Sequence, residues 1–190
     1  PIPQNGLEVI WNHITRYRGE QLHMVTNQAA VLASGSYNLL KMERDAYFVY
    51  GREGMSPQDL NNTLFFYKYT VVAPSKLAGS ALLVQETIDQ VLATRRAWRF
   101  NRGDRRVRRL PSLAYESAQP DTYGLATADT VDVYNGAPDR YEWKLIGKRE
   151  MLVPYNSYQV HQKGLPYERI LGAKTLNPEL LRYEPHRVWV

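Results

Sequence analysis

The chain has 190 residues, enough for one domain burying about 70% of the surface that it exposes when unfolded. Its 44% hydrophobic content excludes a disordered chain, and the absence of cysteine excludes disulfides, thiol catalysis and cysteine-ligated metals. A net charge of +5 admits anionic partners and an ordinary solvated surface alike, and no apolar run approaches the roughly 20 residues of a membrane-spanning helix.

The first predicted element is a helix over residues 5–19. Leu7, Ile10, Trp11 and Ile14 recur at helical spacing and form one apolar stripe. Asn5 is a suitable N-cap, Glu8 stands where a capping-box acid would, and Gly19 is a natural stop. From residue 20 to about 115 the rhythm is that of strands, and Tyr37–Met42, Ala46–Tyr50, Thr63–Val72 and Ser80–Thr87 are rich in Tyr, Phe, Val and Leu. Turn residues separate them, which predicts an antiparallel sheet. Both faces of Thr63–Val72 are largely apolar, so that strand is expected to be covered on both sides.

Thr94–Phe100 and Arg105–Leu110 read as a hairpin. Within it, residues 95–109 hold eight arginines and one acid. A two-residue turn at Arg102-Gly103 would set Trp98 opposite Val107 and Phe100 opposite Arg105, with Arg99 facing Arg106. Such like-charge pairs call for acids, anions or open water. The hairpin is therefore either an anion-contacting surface beside Trp98 and Phe100 or a solvated one that resists edge-to-edge pairing.

Residues 111–127, rich in Pro, Ser, Ala and Gly, read as a long loop. Ala128–Tyr134 is expected as a short helix, and Tyr141–Ile146 with Arg149–Val153 as a second hairpin. Asn177-Pro178 marks a helix start.

Nothing points to catalysis. His13, His23, His161 and His186 are scattered, and no nucleophile elbow or phosphate-cradling glycine loop occurs. Asp129 with Asp132, and Asp139 with Glu142, are close enough for acid–base work, but at this density such acids serve as caps and ion pairs. We expect no catalytic, cofactor-binding or metal-binding residues and no cofactor.

Several stretches, taken in order, carry a resemblance: Trp11-Asn12-His13 with Arg16-Tyr17-Arg18-Gly19; Ala73-Pro74 with Leu77-Ala78-Gly79; Ala97-Trp98 with Gly103 and Arg105-Arg106-Val107-Arg108; Tyr134-Asn135-Gly136 with Asp139-Arg140-Tyr141; Trp143-Lys144-Leu145 with Gly147-Lys148; Val153-Pro154-Tyr155-Asn156; and His186-Arg187-Val188-Trp189-Val190. Over essentially the whole chain the sequence resembles a Gram-negative envelope family of unknown function described as outer-membrane lipoprotein-sorting-like. The resemblance implies an exported protein, made with a signal peptide and longer than this chain at both ends. It implies kinship in fold with the lipoprotein carriers of the localisation pathway.

The expected fold is mainly β with a few helices. It is a strongly curved antiparallel sheet, an incomplete barrel, whose concave face the N-terminal amphipathic helix covers. Residues 1–190 are expected to form a single β-rich domain, a portion of a longer protein. The expected function is a non-enzymatic periplasmic carrier for a lipid, a lipoprotein acyl chain or another lipophilic molecule, peripheral to the outer membrane and not spanning it. Phe66, Leu83, Trp98, Phe100 and Trp143 are the candidate ligand-binding residues. Arg99, Arg105, Arg106, Arg108 and Arg109 are the candidates for contact with an anion or a partner. The alternative is a docking module for a transport protein of the inner or outer membrane. Nucleic-acid binding, suggested by the Arg-plus-aromatic pattern, is not expected, because no recognised motif accompanies it.

Overall fold

Asn5 caps the first helix, α1 (Gly6–Ile14), as the sequence predicts: its Oδ1 accepts the Glu8 N–H at 2.9 Å, and the Glu8 carboxylate accepts from the Asn5 amide and the Gln4 N–H. The computed structural model describes residues 2–111, 113–172 and 174–190. The helix ends at Ile14 rather than running to Gly19. Thr15 Oγ1 donates to the Trp11 carbonyl at 2.7 Å and Arg16 to the His13 carbonyl at 2.8 Å, so side chains satisfy the last carbonyls. Of the apolar stripe, Ile14 is buried and Leu7 is exposed.

Six strands follow: β1 (Gln21–Val31), β2 (Tyr37–Phe48), β3 (Thr63–Ala73), β4 (Ala81–Thr87), β5 (Arg96–Asn101) and β6 (Arg106–Leu110). They lie side by side in chain order, an antiparallel meander with β1 and β6 at its edges. The two strands expected at Tyr37–Met42 and Ala46–Tyr50 are one. The charged stretch Glu43-Arg44-Asp45 between them pairs in register with Thr70, Tyr69 and Lys68, and a register shift falls at Lys41/Met42. Charge inside a half-solvated strand is alternation, not a break.

Residues 113–127 form most of the expected loop, with an isolated bridge between Ala118 and Thr127. The helix expected at Ala128–Tyr134 is a single 3-10 turn, Ala128–Thr130, ended by positive φ angles at Asp132 and Val133. The hairpin expected between Tyr141–Ile146 and Arg149–Val153 does not form. β7 (Lys148–Pro154) pairs instead with β8 (Tyr183–Trp189), far along the chain. The Ile146 and Gly147 N–H groups both donate to the Val190 carbonyl, which draws this segment toward β8. A short helix, α2 (Tyr167–Ile170), and a turn at Pro178–Leu180 complete the elements. Asn177 caps that turn by accepting the Glu179 N–H at 3.0 Å.

The chain divides into two compact units. One comprises Trp11–Ala30 and Leu39–Glu142 and contains nearly all of the six-stranded sheet. Its core lies on one sheet face, where Leu40, Met42, Tyr69, Val71, Leu82 and Ala97 pack with Leu113 and Ala128 from the loop segment. The other unit comprises Pro1–Ile10, Val31–Asn38 and Trp143–Val190, with the β7–β8 pair inside it. Among the described residues, no helix is long and apolar enough to cross a membrane.

The expectation that β3 is covered on both sides fails beyond the start of the strand, where Leu64 is buried. Phe65, Tyr69 and Val71 are buried, but on the alternate face Phe66 is 37% and Val72 41% exposed. The segment after Leu110 packs on one face and leaves the other open.

Candidate functional site

Two neighbouring parts of the sheet unit carry its chemistry: the polar underside, where the loop segment is fastened, and the open face.

On the underside, Glu86 of β4 and Arg95 are a nearly dry ion pair, their side chains 2% and 4% exposed, with Arg95 Nε 3.2 Å from Glu86 Oε1. The Asn135 amide donates to Glu86 Oε2 at 2.9 Å and the Gln90 amide to Oε1 at 3.1 Å. Arg95 in turn donates to the carbonyls of Ala128 and Asn135. Burial pushes the Glu86 carboxyl above the usual range, against the pull of Arg95 and Asn135. Asp121 is a second fastening. It accepts from the Tyr69 hydroxyl and, at 2.6 Å, from Arg99. Desolvation is the main cause that drives the Tyr69 hydroxyl far above its ordinary range, and the bond to Asp121 adds to it. Asp132 takes Arg16 at 2.6 Å and Arg18 at 2.7 Å, and the Arg18 guanidinium lies 4.5 Å over the Phe48 ring. These contacts lock the 113–142 segment onto the core.

Several of the acids and histidines singled out in the sequence are engaged in similar ways. Asp129 accepts from the Thr127 hydroxyl at 2.6 Å, and Asp139 from Tyr115 at 2.9 Å. His13 Nε2 lies 2.9 Å from the Asp132 carbonyl, and His23 Nδ1 2.8 Å from Asp45. Among the described residues, no three acidic or histidine side chains converge on a possible metal position.

The open face is best read through the strand register. Directly opposed residues share a face. One row across the strands runs Asp45, Lys68, Leu83, Trp98, Arg109, and the next runs Thr70, Ala81, Phe100, Val107. A third runs Tyr47, Phe66, Gln85, Arg96. The middle of this face is apolar: Leu83, Trp98, Phe100 and Val107 with Ala81 line a shallow depression of about 400 Å3, bounded by Lys68. A second depression, of about 500 Å3, shares Lys68 and Leu83 with it and reaches Phe66, His23 and Asp45. Leu83 is 40% and Val107 64% exposed.

Four of the five candidate ligand-binding residues, Phe66, Leu83, Trp98 and Phe100, thus meet on one open face. Trp143 belongs to the other unit, where its backbone lies against Gly6 of α1. The candidate arginines separate as well. The pairing is Phe100 with Val107, Trp98 with Arg109, and Arg99 with Arg108, two residues out of the expected register, because the turn spans residues 102–105 instead of two residues. Arg99 lies on the core side, on Asp121, and Arg108 is held by Asp104 at 2.8 Å. Arg106 is opposite Asn101, Arg105 sits in the turn with φ +53°, and Arg109 alone of the five stands directly opposite an aromatic of the open face. Lys68, Arg96 and Val107 share that face and were not singled out. Parity with Trp98 and Phe100 would have picked out Arg96.

An uncharacterized protein of Pseudomonas aeruginosa, PA3922, is 49% identical over 189 residues, a match that covers 100% of this chain and 42% of that protein. The chain therefore spans less than half the length of this curated relative. A crystal structure of a DUF1329 family protein from Desulfovibrio piger shares the fold, with a TM-score of 0.53 at 11% identity over 78% of this chain and 57% of that one. The model of the family described as "Protein of unknown function (DUF1329)" matches residues 1–190, and the chain belongs to that family.

Proposed function

We propose that the open face of the six-stranded sheet is the floor of a binding site for a lipid, an acyl chain or another lipophilic molecule, and that the full-length protein carries such a molecule in the periplasm, at or near the outer membrane, without catalysing a reaction. The observation that supports this reading is the contiguous cluster Phe66, Leu83, Trp98, Phe100 and Val107, half-buried to exposed, on a sheet whose other face holds the core. An exposed apolar patch of this kind marks an interaction surface. Covering it is worth about 25 cal/mol for each Å2 of apolar surface removed from water. Part of the same proposal is that the sheet is strongly curved, an incomplete barrel, with α1 over its concave side.

Native mass spectrometry of the protein purified from a Gram-negative host, followed by organic extraction, tests it. The expected result is a stoichiometric lipophilic species, lost from a Leu83→Asp variant. A clean apo mass that persists after incubation with phospholipids and fatty acids would overturn the carrier reading.

A second reading is a docking module of an envelope transport assembly, and β6 favours it. That strand is an edge of the sheet and carries Arg106 and Arg108, both exposed. Replacing Arg105, Arg106, Arg108 and Arg109 by Ser should then abolish capture of the membrane partner with the fold intact, and retained capture would remove this reading.

A further inference from the structure

The arginines of the β5–β6 hairpin divide by face. Arg99 and Arg108 oppose each other directly, and each has its own carboxylate, Asp121 and Asp104. On the open face the arrangement differs. Arg96 stands two residues before Trp98 on β5, and Arg109 stands directly opposite Trp98 on β6. The two are therefore diagonal cross-strand neighbours, roughly 7–8 Å apart in such a sheet. Both are exposed, and among the described residues neither guanidinium has an ion pair or a side-chain hydrogen bond. Lys68, a cation of this face, is already paired with Asp45 at 3.4 Å. Two adjacent guanidinium groups without an acid repel each other unless an anion lies between them. Their forked donors suit the oxygens of a phosphate better than a point charge would. Beside them lies the apolar strip of Trp98, Leu83, Phe100 and Val107.

We propose that Arg96 and Arg109 hold the phosphate headgroup of an amphiphile whose hydrocarbon chain lies over Leu83, Trp98 and Phe100. This rests on the reading of the open face as an apolar floor and adds the headgroup class and the residues that select it.

The test titrates the 190-residue chain by native mass spectrometry with lysophosphatidic acid, with the monoacylglycerol of the same chain length, and with inorganic phosphate. Wild type should bind lysophosphatidic acid at least tenfold more tightly than the neutral analogue. The Arg96→Gln/Arg109→Gln variant should lose that preference and keep its affinity for the monoacylglycerol. Arg108→Gln, on the other face, should change nothing. Because both arginines are exposed and without ion pairs, the double variant should keep its far-UV circular dichroism. Equal binding of the two amphiphiles by wild type, or a preference that survives in the double variant, would overturn the headgroup assignment and leave the apolar floor standing. No binding of either amphiphile would overturn both. Inorganic phosphate binding as tightly as the amphiphile would overturn the proposal in favour of a free-anion site.

Discussion

Glu86 and Arg95 show how much one residue can decide here. Removing a single partner from a buried pair strands the other charge, at a cost of about 3–5 kcal/mol, whereas apolar replacement of both is far less costly. We predict that Glu86→Leu and Arg95→Met each lower stability by about that amount in urea unfolding, and that the double variant loses much less than the sum. The tyrosines give a second prediction. Burial raises the hydroxyls of Tyr67, Tyr69 and Tyr134, the last to about 12. Hydrogen bonds to Glu168 and Asp139 are the leading causes that raise Tyr37 and Tyr115. A group raised above its unfolded value stabilises the fold fully below that value and loses the contribution as pH rises through the folded one. Stability should therefore fall as pH climbs above about 10, the ordinary tyrosine value. A phenolate absorbance titration should show Tyr69 ionising only on unfolding, and a single smooth titration of all 14 tyrosines near pH 10 in the folded chain would contradict this.

At the scale of elements, β5 and β6 explain what was legible. The turn was read two residues short, yet a slip of two preserves the face of every side chain, whereas a slip of one would have exchanged them. Phe66, Leu83, Trp98 and Phe100 could therefore be proposed together from the sequence although Phe100 was paired with the wrong partner. The ion pair of Glu86 with Arg95 and the bond of Tyr69 to Asp121 were not legible. They join a regular sheet to an irregular segment, and no local periodicity reports such contacts. The β7–β8 pair escaped for the same reason, since its strands lie far apart in sequence. Trp143 was chosen for its chemistry, but its backbone matters to α1. A Cβ on Gly6 would lie 2.5 Å from the Trp143 carbonyl carbon. Gly6→Ala should lower stability by about 1–3 kcal/mol, read as a drop in the thermal midpoint.

Across the whole molecule, protection should be uneven. β2, β3 and β4 carry most of the buried residues of the sheet, whereas β7 is exposed at every position but Leu152's neighbour Val153. A two-stranded pair with so little cover is marginal on its own. Amide hydrogen exchange should be slowest in β2–β4 and fastest, among the strands, in β7 and β8. In a chain as long as its Pseudomonas relative, of which this one spans 42%, exchange in β7 and β8 should slow if the additional residues pack there.

The free edge of the large sheet has a further, colloidal consequence. β6 offers unpaired backbone to any second sheet, and Arg106, Arg108 and Arg109 along it, in a molecule of net charge +5, hold other copies off by repulsion. That defence depends on the ionic strength. The screening length shrinks from about 10 Å at 0.1 M salt to about 3 Å at 1 M. Solutions that are monodisperse in dilute buffer should therefore begin to scatter light as salt is added, the reverse of salting-in, and polyvalent anions should produce the effect at the lowest concentrations.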